Sequence, residues 1–198
     1  MNSTSLHHFA GRDLDRALKK VAKQGGRQAG RVVVLLDGTL VRTRRWTGTA
    51  NRKNYSGKRK AHGLLFLALT DERGNLIWIS SARPGRASEI SAARHEKITA
   101  HLRVAGFGVL ADLGFVGLDD HPDDDPVIIT GFKATRSHRL TEAEKEANGL
   151  LSRERAANEH GFAHLKTWRV LAKVRMNTRH ATILLRALLV LANSEVPR

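Results

Sequence analysis

The strongest limit on the fold comes from "VVVLL" at residues 32–36, which is apolar at every position. Three of these five side chains are β-branched, a composition that favours strands. An uninterrupted apolar run of this length predicts a strand buried on both faces, not one that alternates between core and solvent. We therefore expect a sheet whose two faces are both covered by other elements.

The segments that follow supply the rest of such a sheet and its cover. "GLLFLALT", the turn "DERGN" and "LIWISSA" predict a hairpin, and "FGVLAD" and "VIITGF" predict two further short strands. "ASEISAARHEKITAHLRVA" predicts one helix after the break at "PGR", anchored by Ile90, Ile98 and Leu102. A long helix over roughly 141–174 and an almost wholly apolar helix over 178–193 follow. This mixed order predicts an α/β fold, a mixed sheet flanked by helices with further helices at the C-terminus.

The length of 198 residues suits one domain with a sizeable core. Residues 1–30 hold a short amphipathic stretch, with Leu14, Leu18 and Val21, and then the linker "KQGGRQAGR". We expect an N-terminal helical segment and linker over 1–30 and the folded domain over 31–198.

Three features that the sequence lacks bear on the cellular compartment of the protein: cysteine, a signal peptide and a membrane-spanning segment. The chain has no cysteine, which excludes disulfides and thiolate metal sites and fits a reducing compartment. Its start, "MNSTSLHHFAGRDLDR", has polar and acidic residues where a signal peptide needs an apolar core. The apolar run "ATILLRALLVLA" is interrupted by Arg186 and is too short to span a membrane. We expect a cytoplasmic protein that does not enter a membrane.

The charge of the chain is strongly unbalanced. Lysine and arginine number 34 against 19 acidic residues, giving a formal net charge of +15. A charge of this size raises the local concentration of polyanions, and it favours nucleic acid as the partner. An anionic membrane surface, or simple solubility, would account for the same charge.

Many of the cations lie in one stretch that we predict to be irregular, 41–62, which has eight lysines or arginines and no acidic residue. Cations neutralise phosphates, and aromatic rings stack on unpaired bases. A solvated, disordered loop is the alternative interpretation. The candidate DNA contacts in this stretch are Arg44, Arg45, Tyr55, Lys58, Arg59 and Lys60.

Two acidic residues follow predicted strands. Asp37 closes "VVVLLD" and Asp112 closes "FGVLAD". In α/β sheets chemistry collects at the ends of strands. Each residue also has an ordinary interpretation, because Asp-Gly is a hairpin signal and the aspartate of "DLG" can begin a turn.

A third carboxylate lies on the long helix, between two cations. Arg155, Glu159 and Lys166 are four and seven residues apart, which places them within roughly 40° of arc on one helix face. A solvated stripe with an ordinary ion pair would give the same spacing. Phe162 falls on this arc as well, so we expect the face to abut another element.

The three carboxylates Asp37, Asp112 and Glu159 form a candidate metal site. Adjacent carboxylates repel one another, so such a cluster persists only when a cation neutralises it. A set of oxygen ligands without a thiolate suits Mg²⁺ or Mn²⁺. Two such ions roughly 3.5–4 Å apart clamp a phosphodiester for in-line displacement. Arg155 and Lys166, on the face of Glu159, would offset the charge that develops on the phosphate oxygens.

Five motifs in order resemble bacterial insertion-sequence transposases of the DDE superfamily, in the branch related to Harbinger nucleases. They are "LLDGTLV", "NYSGKRKAHG", "GNLIWISSARPG", "LADLGF" and "SRERAANEHGFAHLKTWRVLAKVR", and the likeness covers roughly residues 31–192. The last motif matches the family pattern R-x3-E-x6-K at Arg155, Glu159 and Lys166.

The resemblance implies an RNase H-like fold and a catalytic, metal-binding triad of Asp37, Asp112 and Glu159. It implies metal-dependent cleavage and transfer of DNA strands, with transposon ends and target DNA as partners and association with the nucleoid. It also places the basic loop "YSGKRKAHG" near the active site. Since transposition generally needs two active sites acting together, we consider a homo-oligomer on DNA, with the apolar final helix as the contact surface.

The chain departs from the family pattern at several positions. Ser152 stands where many relatives have a tyrosine, and Leu113 and Phe115 stand where they often have a basic residue and a tyrosine. The usual "HD" after "PG" appears as "ASE", with Glu89 the nearest acid. Relatives usually carry an N-terminal helix-turn-helix domain, which thirty residues are too few to contain. We therefore expect a truncated copy or one that depends on another chain for DNA recognition.

Three functions follow from these features. The first is a metal-dependent DNA nuclease and strand transferase. The second is an inactive remnant that binds DNA through its charge alone, and whose binding would persist after either acidic residue is replaced. The third is a hydrolase with an RNase H-like fold that cuts RNA or hybrids.

Overall fold

The computed structural model describes residues 13–22, 33–44, 49–119, 127–167, 171, 174 and 177–195. For residues 155–167 and 195 only the backbone is described. The predicted contact Arg45 and most of the acidic loop after Leu118 therefore lie outside the described residues.

A seven-stranded mixed sheet forms the centre of the described part of the chain. β1 pairs antiparallel with β3 and parallel with β6, and β7 continues the sheet parallel to β6. β2, β4 and β5 all pair with β3. The strands are β1 Val33–Arg42, β2 Tyr55–Ser56, β3 Ala61–Thr70, β4 Leu76–Ile79, β5 Arg83–Pro84, β6 Gly108–Ala111 and β7 Ile128–Thr130.

Five helices accompany the sheet in the described residues: α1 at 13–22, α2 Glu89–His95, α3 Ile98–Ala105, α4 Glu142–Thr167 and α5 Thr178–Glu195. None of them has the length and hydropathy of a membrane span. The predicted α/β class, with a mixed sheet and C-terminal helices in an RNase H-like arrangement, is confirmed.

Each face of the sheet carries its own core, because strand residues alternate between faces. On the α3 face, Leu36 of β1 and Ala111 of β6 share a buried cluster with Leu14 of α1, Ala92 of α2 and Leu102 of α3. The α5 face carries a second cluster, in which Val41 and Phe66 pack with Leu185 of α5. The fully buried strand predicted from "VVVLL" is explained by this double cover, because Leu36 on the α3 face and its neighbour Leu35 on the opposite face are both buried.

The prediction that the first strand stops at "DGT" is wrong, and Asp37 does not lie at its end. β1 runs on to Arg42, with Asp37 paired to Ala68 and Gly38 to Leu67 of β3. The long antiparallel partner holds the backbone extended and overrides the local turn preference of Asp-Gly.

Three other predicted boundaries need correction. Part of the stretch predicted as irregular forms a hairpin, because β2 pairs with the start of β3 around residues 57–60. The helix predicted after "PGR" is broken between α2 and α3 at Lys97, whose φ of 51° is left-handed. The long helix ends at Thr167, short of residue 174.

The start of α4 is fixed by a capping box between Thr141 and Glu144. The Thr141 N–H donates to Glu144 Oε2 at 2.7 Å, and the Glu144 N–H donates to Thr141 Oγ1 at 3.3 Å. The backbone N–H of Thr141, followed by His138, holds the pKa of the Glu144 carboxyl below its ordinary value. The carboxylate form that caps the helix is thereby favoured, and the register of α4 is set from its first turn.

The glycine at the start of β3 makes a close approach that gives a testable stability prediction. A Cβ on Gly63 would lie 2.6 Å from the backbone oxygen of Val41, whereas one on Gly57 would meet nothing within 4 Å. We expect Gly63→Ala to lower the free energy of unfolding by about 1–3 kcal/mol, since the backbone of β1 must shift. Gly57→Ala, the matched control, is expected to change it little. Urea unfolding of the two variants checks this, and equal stability would contradict the packing described.

Candidate active site

Asp37 and Asp112 are brought side by side by the parallel pairing of β1 and β6. Leu36 is in register with Ala111, and the next residue in each segment is an aspartate: Asp37 within β1 and Asp112 directly after β6. Neighbouring strands lie about 4.8 Å apart, which sets the spacing of the two backbones. Leu36 and Ala111 belong to the α3 face, and Asp112 has extended dihedral angles. By alternation, the Asp37 carboxylate is directed to the opposite face, the α5 face. Asp112 lies one residue past the end of β6 and directs its Oδ1 towards the Gly114 N–H.

Backbone N–H groups orient both carboxylates. Asp37 Oδ1 accepts from the Gly38 N–H at 2.7 Å, and Asp112 Oδ1 accepts from the Gly114 N–H at 2.6 Å. Asp112 also begins the short 3₁₀ turn Leu113–Phe115, whose last N–H donates to its carbonyl. The turn role that the sequence offered for Asp112 is therefore real, and it is compatible with a place beside Asp37.

α4 packs on the same side of the sheet, against β1, β6 and α5. Asn148 joins this helix to the segment after β7, since its Oδ1 accepts from the Phe132 N–H at 2.8 Å and its Nδ2 donates to the Phe132 carbonyl at 3.0 Å. At about 100° per residue, Arg155, Glu159 and Lys166 fall within roughly 20° of Asn148 around the helix. Their positions therefore lie on the face of α4 that Asn148 docks. Their side chains are outside the described residues, so their roles stay predictions.

The hairpin of residues 57–60 lies against β1 next to Asp37. Arg59 Nη2 donates to the carbonyl oxygen of Gly38 at 2.8 Å. Lys58 Nζ lies 3.2 Å from Glu89 Oε2, and its side chain is 66% exposed. The basic loop thus stands beside the first aspartate, with its cations open to solvent.

The other predicted DNA contacts are spread around this hairpin. The Tyr55 side chain is exposed at its base, with its ring centroid 5.1 Å from that of His62. Lys60 is exposed within the hairpin and has a left-handed φ of 47°. Arg44 is exposed just beyond the end of β1.

Glu89, at the start of α2, was not predicted as a site residue. Its side chain is only 10% exposed and pairs with Lys58 and, at 3.8 Å, with Arg59 Nη2. A Cβ on Gly38 would lie 2.8 Å from Glu89 Oε1, and one on Gly114 would collide with Glu89 Oε2. The glycines of "DGT" and "DLG" therefore leave room for this carboxylate. One feature of the sequence pointed to Glu89: it lies close to the position after "PG" at which the resemblance predicts an acidic residue.

The two unusual residues after Asp112 have different surroundings. Leu113 is 46% exposed, so the site has an apolar side chain at its rim where relatives often have a cation. Phe115 is fully buried in the core of the α3 face, where a ring without a hydroxyl needs no hydrogen-bond partner.

The residues present fit a divalent metal in part. Within the described residues no group of three His, Cys, Asp or Glu side chains is close enough to ligate an ion. Asp37 and Asp112 follow paired positions of neighbouring segments, and their carboxylates are the hard oxygen donors that Mg²⁺ and Mn²⁺ favour. A third carboxylate from α4 would complete such a set.

Comparison with known proteins gives one match. The family model described as DDE superfamily endonuclease matches residues 36–193, which is 193 − 36 + 1 = 158 of the 198 residues. The matched region runs from the strand that carries Asp37 to the end of α5. No curated protein and no solved structure matches the chain.

Proposed function

The chain belongs to the DDE superfamily endonucleases, and from that membership we propose that it is the transposase of a bacterial insertion sequence, related to the Harbinger branch. Endonucleases of this superfamily act on DNA and generally use divalent metal ions. The proposed reaction is cleavage of DNA strands at the transposon ends and their transfer to a target. The observation that carries the proposal is the register of β1 and β6, which makes Asp37 and Asp112 neighbours.

In the proposed site, Asp37, Asp112 and Glu159 would hold two Mg²⁺ or Mn²⁺ ions. Ions bound by these carboxylates would supply activation of the attacking oxygen and charge stabilisation at the departing one. Arg155 and Lys166, from the helix face of Glu159, bind the phosphate whose oxygens gain charge in the transition state. Cleavage of supercoiled plasmid carrying matching terminal repeats, with and without Mg²⁺, tests the proposal. Failure of an otherwise folded protein to nick DNA with either ion would contradict it.

The hairpin of residues 57–60 is the proposed contact for DNA close to the metal. Lys58 and Arg59 keep exposed side-chain surface while Arg59 bonds the carbonyl of Gly38, the residue after Asp37, and Tyr55 and Lys60 are exposed in the same hairpin. Arg44 and Arg45 extend the same proposed contact along the chain. The net charge of +15 supports association with a polyanion along such a surface.

The salt dependence of DNA binding distinguishes a direct contact between Lys58 and a phosphate from a general effect of the positive charge of the protein. We expect Lys58→Gln to reduce the slope of log K against log salt by about 0.9, the value for one lost phosphate contact. Arg73→Gln is the matched control, because Arg73 is exposed in the turn after β3, about 33 Å from the hairpin along that ten-residue strand. Binding of labelled duplex over a range of NaCl concentrations measures both slopes. The same slope for both variants would contradict a local role for Lys58.

A second candidate, a protein that binds DNA without cutting it, is favoured by Leu113. This exposed apolar side chain, directly after Asp112, leaves the rim of the site with one cation fewer than in many relatives. In that case DNA binding and its salt dependence would be unchanged by Asp37→Ala or Glu159→Ala, and no variant would cleave DNA.

The proposal also covers the oligomeric state of the protein and its place in the cell. Strand transfer generally needs two active sites, so we propose that two or more copies act together on DNA in the bacterial cytoplasm, associated with the nucleoid. The apolar residues Ile183, Val190 and Leu191 are exposed on one side of α5 and are the proposed contact surface. Sedimentation of the protein with and without DNA distinguishes one copy from two.

A further inference from the structure

Glu89 is an acidic side chain that contacts the basic hairpin and lies close to both aspartate motifs. It ion-pairs with Lys58 and Arg59. It lies directly over Gly38, the residue after Asp37. A Cβ added to Gly114 would clash with both Glu89 Oε2 and Asp112 Oδ1, so these two carboxylates lie close together. Three parts of the proposed site, namely the hairpin and the two aspartate motifs, therefore meet at Glu89, and only the part from α4 is not among them.

Burying the Glu89 carboxylate costs solvation free energy, which indicates that its contact with Lys58 and Arg59 is more than a surface ion pair. A carboxylate that is 10% exposed loses most of its hydration, and here it also stands near a second carboxylate. The cations of Lys58 and Arg59 offset both penalties. Arg59 adds its hydrogen bond to the Gly38 carbonyl, so the hairpin is bound to β1 through a backbone atom as well.

The base from which Glu89 projects is rigid. Ser88 caps α2 by accepting the Ser91 N–H at 3.1 Å, and Ala92 and Ala93 of the same helix are buried in the core of the α3 face. Glu89 is the first residue of this helix. Its carboxylate therefore reaches the aspartate motifs from the side of the sheet opposite to the carboxylate of Asp37.

We propose that Glu89 is a positioning residue that ties the basic hairpin of residues 57–60 to the Asp37 and Asp112 motifs. Through this tie, a DNA phosphate bound by Lys58 and Arg59 is held in a fixed place relative to the two aspartates. The inference rests on the proposed function for its catalytic consequence, but the tie itself is independent of that function. A role in stability alone would change neither the reactivity of Lys58 selectively nor the cleavage rate at saturating DNA.

Amine labelling tests the tie without reference to activity. Brief treatment with acetic anhydride, followed by mass spectrometry, compares Lys58 with Lys60, an exposed lysine in the same hairpin. In the unaltered protein Lys58 is expected to react about 2- to 5-fold more slowly, the size expected for one partly exposed ion pair. In Glu89→Gln, which keeps the side-chain shape, the difference is expected to disappear. Equal labelling of the two lysines in the unaltered protein would overturn the proposal, whether or not the variant folds.

The cleavage assay then tests the consequence. At saturating DNA, Glu89→Gln is expected to cleave roughly 10- to 100-fold more slowly, as for a lost support of a metal or phosphate site. Its Kd for uncut DNA is expected to stay close to that of the unaltered protein, because Lys58 and Arg59 keep their charge. A variant that cleaves at the unaltered rate would overturn the proposal. If the unaltered protein does not cleave DNA, the proposed function fails, and the labelling contrast still decides whether Glu89 anchors the hairpin.

Discussion

Asp37→Asn is expected to slow metal-dependent DNA cleavage by roughly 10²- to 10⁴-fold, because several kcal/mol of transition-state stabilisation depend on the metal. Asn keeps the shape of Asp and the acceptor for the Gly38 N–H, which Asp37 Oδ1 accepts at 2.7 Å. The substitution therefore removes the charge with little effect on β1. The rate of nicking at saturating Mg²⁺ measures the loss.

The matched control for Asp37→Asn is Glu72→Gln. Glu72 is an exposed acid in the turn between β3 and β4, and its replacement changes the net charge by the same amount. We expect this variant to cleave at the unaltered rate. Retention of full activity by Asp37→Asn would show that the Asp37–Asp112 pair is not the metal site.

Glu159→Gln is expected to have an effect of the same size, roughly 10²- to 10⁴-fold on the cleavage rate. The reason is geometric: α4 is continuous from Glu142 to Thr167, and Asn148 docks the face of the helix on which position 159 lies. Eleven residues separate 148 and 159, which is about 20° of rotation after three turns. Two measurements check this: the cleavage rate at saturating DNA and the affinity of the protein for Mn²⁺, and both are expected to fall.

Glu146→Gln is the control on the same helix. Glu146 is exposed and lies about 160° from Asn148 around the helix, on the side turned away from the sheet. If Glu146→Gln and Glu159→Gln cleaved equally well, the face of α4 docked by Asn148 would not contribute a catalytic acid. Such a result would exclude Glu159 from the metal site.

The parts of the fold that were predicted from sequence are those with strong local patterns. The apolar runs that became β1, β3 and β6 and the helix α5 are recognisable because hydrophobic periodicity fixes their type. The errors fall where pairing or packing overrides a local signal. Asp37-Gly38 has the composition of a turn, yet the register with Ala68 and Leu67 keeps it in β1. The break at Lys97 has no proline or glycine to mark it.

In the candidate site too, local sequence patterns predicted some features, whereas tertiary packing determines others. The parallel register that joins Asp37 to Asp112 pairs two apolar runs, "VVVLL" and "FGVLA", each with an aspartate as the next residue, so the pairing was open to prediction. The position of Glu89 was not, because 89 − 37 = 52 residues separate it from Asp37. Its contact with Lys58 depends on the hairpin before β3 and on the packing of α2, and neither is encoded in a local motif.

Anomalous diffraction from crystals grown with Mn²⁺ and uncleavable terminal-repeat DNA tests the metal site most directly. We predict a manganese peak in contact with carboxylate oxygens of both Asp37 and Asp112. A manganese peak bound elsewhere on the protein, with none between these two side chains, would contradict the site and the function proposed from it.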